Sequence, residues 1–206
     1  GDIGCHVFDA TWKALDLTAP KTVHATVQES WENSKDRRRD TWPQSDHITW
    51  TFPGNSITEK SELTIEWFDG LFYPPEAAQK WYPGKIYPPE SALIVGTEGA
   101  VLIPNGGGAM LLPRDKYKGT PQPKLDTRNH YHHFLDAIIG KTKNESYFEQ
   151  TGPMTEAILL GTVAIRTPDQ KLSWDAANLA ITNHSGAHKL LKRNYRKGWE
   201  VSNFNA

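Results

Sequence analysis

The chain has 206 residues, 37% hydrophobic and 11% aromatic, with 23 basic and 24 acidic side chains and a formal net charge of −1. That is enough apolar material for residues 1–206 to form a single domain with its own core, and it excludes a disordered tail or a basic nucleic-acid-binding field. The single cysteine, Cys5, excludes an internal disulfide and a cysteine-based zinc cluster, and no window approaches the length of an apolar membrane span.

At helical spacing, Asp2, His6, Asp9, Lys13 and Asp16 fall on one stripe of the first seventeen residues. Ile3, Val7, Ala10 and Ala14 form an apolar row beside it, and Phe8, Trp12 and Leu15 form another. This pattern predicts an amphipathic helix. Asp2 and His6, one turn apart, pair a carboxylate with an imidazole, the side-chain types that orient and move a proton. The competing reading is a solvent-facing stripe, with Asp favoured near a helix N-terminus. Cys5 reads as a small buried helix residue, because only His6 is locally placed to activate it.

Beyond Pro20, residues 22–28 alternate with Val23, Ala25 and Val27 on one face, which predicts a strand. Residues 30–46 read as a solvated polar loop, the Arg37-Arg38-Arg39 run being flanked by Asp36 and Asp40. Residues 47–52 alternate with Ile48, Trp50 and Phe52 inward, and residues 62–69 with Leu63, Ile65 and Trp67. The Pro53-Gly54-Asn55 turn between them predicts antiparallel pairing. Residues 70–91 hold Pro74-Pro75 and Pro88-Pro89 with Phe72, Tyr73, Trp81, Tyr82 and Tyr87 between. Regular structure is excluded there, and the rings cover either the protein's own sheet or a ligand- or subunit-facing flap. Residues 92–113 read as short strands around the Gly96–Gly99 and Asn105–Gly108 turns. The second turn fails the dinucleotide fingerprint, since Leu111 stands where the third glycine belongs.

A polar loop over 114–126 precedes a helix over 129–139, with Phe134, Leu135, Ile138 and Ile139 apolar and His130, His132 and His133 at its front. Three close histidines raise a metal site, but imidazoles at these offsets do not all converge from one helix. Pro153 reads as the opening of the next helix, running to Arg166, and residues 171–174 as a short closing strand. Residues 186–195 read as a last helix burying Leu190 and Leu191, stopped by Arg196-Lys197 and Gly198. Strands followed by helices predict an α+β domain with a mainly antiparallel sheet and helices gathered on one face.

The wording of several segments goes further. Asp2-Ile3-Gly4-Cys5-His6, followed by Phe8, Asp9, Trp12, Leu15 and Leu17, resembles the Asp-x-Gly-x-His segment of the glucose–fructose oxidoreductase/inositol dehydrogenase (Gfo/Idh/MocA) family. Phe148 to Glu156 running into Leu159-Leu160-Gly161, then Lys171 to Asp175, then Tyr195 to Trp199, resemble that family's later segments in the same order. The resemblance implies a C-terminal substrate and oligomerisation domain: a large, mainly antiparallel open sheet of dihydrodipicolinate-reductase-like kind, whose half-apolar exposed face makes a homo-oligomer. It implies Asp2 and His6 as the catalytic pair beside a nicotinamide and a sugar-like substrate, with His6 as general acid/base and Asp2 as its orienting partner. It implies that the helix from residue 129 borders the site, with His130 and His133 as substrate contacts.

The cofactor, NAD or NADP, would sit on an N-terminal Rossmann domain that these residues do not supply, so no cofactor-binding residue and no metal ligand is expected here. The family's Glu-Lys-Pro motif is also missing, since Glu59-Lys60 is followed by Ser61. The abrupt start on a motif reads as a piece of a longer protein, which leaves the compartment illegible and the chain inert by itself. Two alternatives stay open: an NAD-dependent glycosidase or lyase of the same family, and a binding or assembly domain without chemistry. A metal-dependent hydrolase would require His6 to join the 130–133 histidines.

Overall fold

The computed structural model describes residues 1–83, 86–121, 123–125 and 127–200; Asp126, the end of the expected polar loop, lies outside them. Its centre is the first helix, α1 (Gly4–Ala14), which buries Gly4, Phe8, Thr11 and Trp12 at a spacing that keeps one stripe inward. The helix is shorter than the stripe predicted. Asp2 precedes it and Asp16 follows it at φ +47°, so only His6, Asp9 and Lys13 of the stripe are helical. Cys5 is exposed rather than buried, because it stands one position round from Gly4 and off the inward stripe.

A five-stranded antiparallel sheet lies against this helix. Strands β1 (Thr22–Val27), β2 (Asp46–Pro53) and β3 (Glu62–Asp69) match the three alternating runs. The ladder places Ala25 opposite Ile48 and Trp50 opposite Ile65. β7 (Leu172–Asp175) pairs with β1, and β8 (Ala180–Ile181) extends the sheet beyond it, in the order β3-β2-β1-β7-β8. The inward residues Val23, Ala25, Val27, Ile48, Trp50 and Phe52 meet α1 and the long helix α6 (Phe148–Arg166). Phe8, Trp12, Trp50 and Phe52 form an aromatic knot with ring centroids 5.6–6.3 Å apart. Gly161 lets α6 close on the sheet: a Cβ there would lie 2.8 Å from Trp50 Cζ2. The Trp50 indole donates to the Ala157 carbonyl at 2.8 Å, so the largest ring in the knot leaves no stranded donor.

The other sheet face was expected to be half-apolar and is polar. Its positions are Thr22, His24 and Thr26 on β1, His47, Thr49 and Thr51 on β2, and Thr64, Glu66 and the single aromatic Phe68 on β3, because alternation spends most apolar residues on the helix side.

The expected single large sheet is two sheets. Strands β4 (Ser91–Val95), β5 (Ala100–Pro104) and β6 (Met110–Leu112) form a separate antiparallel sheet resting against α1. The prolines at 74–75 and 88–89 carry no N–H for a ladder, so β3 cannot continue into β4. Between them lies the short helix α4 (Glu76–Gln79). Trp81, Tyr82 and Tyr87 pack on the small core of Ala100, Leu102 and Leu112, so these three rings cover the protein's own sheet. Tyr73 does not, being 70% exposed.

The 30–46 segment is not an irregular loop. It contains α2 (Glu29–Glu32) and α3 (Lys35–Asp40), between them carrying the fully buried Trp31. Four- and six-residue helices show too few turns for periodicity to register. Helix α6 begins five residues before Pro153, which sits inside it. The missing proline N–H costs one bond, to the Glu149 carbonyl in the exposed first turn. The last helix is also shorter than predicted: α7 (Ser185–His188) passes into a 3₁₀ turn over Lys189–Leu191, and Leu190 is half exposed.

Thr11 is buried on the inward stripe with no partner for Oγ1 among the described residues. Thr11→Val keeps the branched shape and removes the stranded hydroxyl, so it is expected to raise stability by about 1 kcal/mol. The urea midpoint should move up at unchanged slope; a lower midpoint would mean that the hydroxyl has a partner after all.

Candidate functional site

The Asp2–His6 end of α1 is built by a close crossing. A Cβ on Gly4 would meet Ile158 Cγ2 of α6 at 3.2 Å, so the helix start lies close against α6 and any larger residue there would push on the Ile158 side chain. That contact pins the first turn and leaves Asp2 and His6 exposed on either side of it. Ile3 takes the N-cap position with no side-chain cap bond, and the Asp2 carbonyl accepts the Cys5 thiol at 3.2 Å. No hydrogen bond or ion pair joins the Asp2 carboxylate to the His6 imidazole. Both are open to a ligand laid across the helix start, where an imidazole can move a proton.

The remaining stripe is tied down. Asp9 accepts from Gln150 Nε2 of α6 at 2.8 Å and pairs with Lys13 at 3.5 Å. Near the same end lies a network at the base of α5 (His130–Ile138). Arg128 reaches the Glu145 carboxylate at 3.2 Å and His133 Nε2 at 2.9 Å, and Asn129 caps the helix by accepting from the His132 amide. The Arg128 hydrogen bond and charge hold the Glu145 carboxyl below its ordinary range, with Lys13 and His133 adding to the effect. Glu145 therefore lies in the field of both Lys13 on α1 and His133 on α5. Lys13 is two helical turns, roughly 10 Å at 1.5 Å per residue, from His6. His130 stacks edge-on to Tyr131, ring centroids 5.4 Å apart. Among the described residues no three His, Cys, Asp or Glu side chains converge to hold a metal ion.

Helix α5 buries none of its residues: Phe134, Leu135, Ile138 and Ile139 are all more than half exposed, and Phe148 at the start of α6 is 89% exposed. The predicted apolar stripe is thus present but contributes no residue to either buried core.

A second titratable site was missed in the sequence. Asp46, the first residue of β2, is in phase with Ile48, Trp50 and Phe52, so its carboxylate points to the helix side of the sheet and is 8% exposed. Its Oδ1 has no hydrogen-bond partner among the described residues. Its cross-strand neighbour is Asp69, on the same face. Burial first, and then the Asp69 charge, push the Asp46 carboxyl up to about 6; the amino group at Gly1 and His47 pull it partly back. The signal was available: the inward alternation, extended one step back from Ile48, already points Asp46 inward.

On the open sheet face His47 bonds Glu66 at 3.0 Å and stacks on Phe68, ring centroids 4.4 Å apart. Asn183, which begins one of two glycosylation-like triplets, is committed structurally. It donates to the Lys171 carbonyl and accepts from the Ser173 amide, each at 2.8 Å.

Comparison with known protein families, with curated proteins and with solved structures finds no match.

Proposed function

We propose that this chain is the substrate and oligomerisation domain of a Gfo/Idh/MocA-type NAD(P)-dependent oxidoreductase acting on a sugar, polyol or glycoside. The observation that carries the reading is the Asp2-Ile3-Gly4-Cys5-His6 segment at the start of α1. Its glycine is where α1 crosses α6, and its Asp and His are exposed together at the free end. In this reading His6 takes the proton from a substrate hydroxyl and Asp2 holds the hydroxyl or the imidazole in place; a bound nicotinamide would supply the acceptor for the hydride of the carbon bearing that hydroxyl. NAD or NADP binds on a dinucleotide-binding domain outside these residues. His130 and His133 would reach substrate from the α5 side, and a second copy would pair through the Thr- and His-bearing sheet face.

The test is cofactor reduction by the polypeptide carrying this chain, offered a panel of sugars and glycosides. His6→Ala is expected to lower kcat by about 10²–10⁴-fold, as loss of a general base does. Turnover indifferent to His6→Ala would overturn the reading.

A further inference from the structure

We propose that the C-terminal segment 189–199 is a binding site for a small phosphate-bearing ligand, independent of the Asp2–His6 site. Five cations, Lys189, Lys192, Arg193, Arg196 and Lys197, fall within nine residues of a chain whose net charge is −1. Elsewhere among the described residues, six cations pair with carboxylates: Lys13 with Asp9, Lys21 with Glu62, Arg39 with Asp36 and Asp40, Lys116 with Glu98, Arg128 with Glu145, and Lys141 with Asp136. In this segment no carboxylate among the described residues pairs with Lys189, Arg193, Arg196 or Lys197. The nearby acid, Glu200, is engaged by the Gly198 amide at 2.7 Å.

The two arginines are also held in place. The Arg193 guanidinium lies 4.9 Å from the Tyr195 ring centroid, and that of Arg196 lies 4.7 Å from Trp199. The second pair is set by a turn in which the Trp199 amide donates to the Arg196 carbonyl and Gly198 takes φ +83°. A guanidinium flat on an aromatic face keeps its N–H edge free, and that edge matches the oxygens of a phosphate. Arg193, Asn194, Tyr195, Arg196 and Trp199 together line an open cavity of about 320 Å³, at the small end of the range that holds a metabolite. Lys189, Arg193, Arg196 and Lys197, close together and without a carboxylate partner among the described residues, fit a dianion better than a single carboxylate. The near-zero net charge of the whole chain supplies no wider basic surface for a long polyanion.

The experiment titrates the 206-residue chain with inorganic phosphate, glucose 6-phosphate and glucose, following heat and the Trp199 indole and arginine side-chain NMR signals. Saturable binding of a phosphate-bearing probe, with glucose silent, is expected. Arg193→Gln and Arg196→Gln should each weaken it about tenfold, which is roughly one paired charge. Arg196→Lys, keeping the charge and losing the flat fork, should recover only part of the loss. Lys116→Gln, which removes an ammonium paired with Glu98, should leave it unchanged. These residues are exposed, so the variants keep the wild-type melting curve. Preference of phosphate over glucose 6-phosphate would assign the site to the free anion; the reverse would assign it to a phosphomonoester. Absence of saturation, equal binding of glucose, equal loss in Lys116→Gln, or binding confined to an RNA oligonucleotide and uncompeted by phosphate would each overturn the proposal.

Discussion

Trp31→Ala is expected to destabilise the chain by about 3–5 kcal/mol, the usual cost of emptying a buried tryptophan site. Trp31 is fully buried, and its indole donates to Thr41 Oγ1 at 3.1 Å. The Arg38 and Arg166 guanidiniums lie over its ring at 5.8 and 5.5 Å. Those arginines are fastened in turn: Arg38 donates to the Arg166 carbonyl and Arg166 to the Thr41 carbonyl, each at 3.3 Å. The ring thus joins α2, α3 and the C-terminal end of α6, and truncation leaves a cavity beneath two charged groups. Trp31→Phe, which fills much of the space and loses the indole bond, should cost only about 1–2 kcal/mol. Equilibrium urea unfolding by far-UV circular dichroism reads both, and a Trp31→Ala loss under 1 kcal/mol would show that this corner is not part of the cooperative unit.

The second large effect depends on pH. Because the folded state holds the Asp46 carboxyl at about 6 against 3.8 as the ordinary value, the native protein binds this proton more tightly than the unfolded chain does. The ionised carboxylate is therefore a cost that is absent below pH 4, grows between pH 4 and 6, and is constant above. Stability should fall as pH rises through that window. At 1.36 kcal/mol per unit the gap is nearly 3 kcal/mol, and solvent reaching the exposed Asp69 reduces the observable share to about 1–2 kcal/mol. Asp46→Asn should flatten the fall, and Asp69→Asn should shrink it by removing the second cause. Melting temperatures measured at half-unit steps from pH 4 to 7.5 decide it: equal slopes in wild type and Asp46→Asn would mean that the carboxylate is ionised at no cost.

Several elements were readable because their local pattern and tertiary role coincide. β1, β2 and β3 alternate with period two, and the inward phase written in Val23, Ala25 and Val27 or Ile48, Trp50 and Phe52 is the phase the helices cover. The Gly96 and Asn105 turns joined antiparallel strands as their glycines required. Other elements were misjudged where a local signal has two solutions. Pro153 suits a helix start, yet the helix extends back to Phe148, because Gln150 reaches Asp9 on α1 and anchors the additional turn. Arg38 read as part of a solvated loop, but it and Arg166 lie over a ring whose burial depends on chain segments more than a hundred residues apart.

The candidate residues divide in the same way. Asp2 and His6 were named from residue type and spacing, and His130 and His133 from what the family resemblance implies; Asp2, His6 and His130 are exposed and His133 is half-buried. Asp46 was passed over because a carboxylate is costly only when its environment is dry, and dryness comes from helices packed across the sheet. Arg193 was read as part of the last helix and Arg196 as its stop, because their seats on Tyr195 and Trp199 exist only once that helix has ended early.

The sequence by itself determined the α+β class, the antiparallel pairing and the motif at the head of α1, since these depend on periods and turns a few residues long. Tertiary structure decided that one sheet becomes two, that the open face is polar, that the apolar stripe of α5 stays uncovered and that Asp46 is strained by burial. Each of these depends on which surfaces meet, and a hydrophobic or charged residue carries the same letter whether its neighbour is water, a ring or another carboxylate.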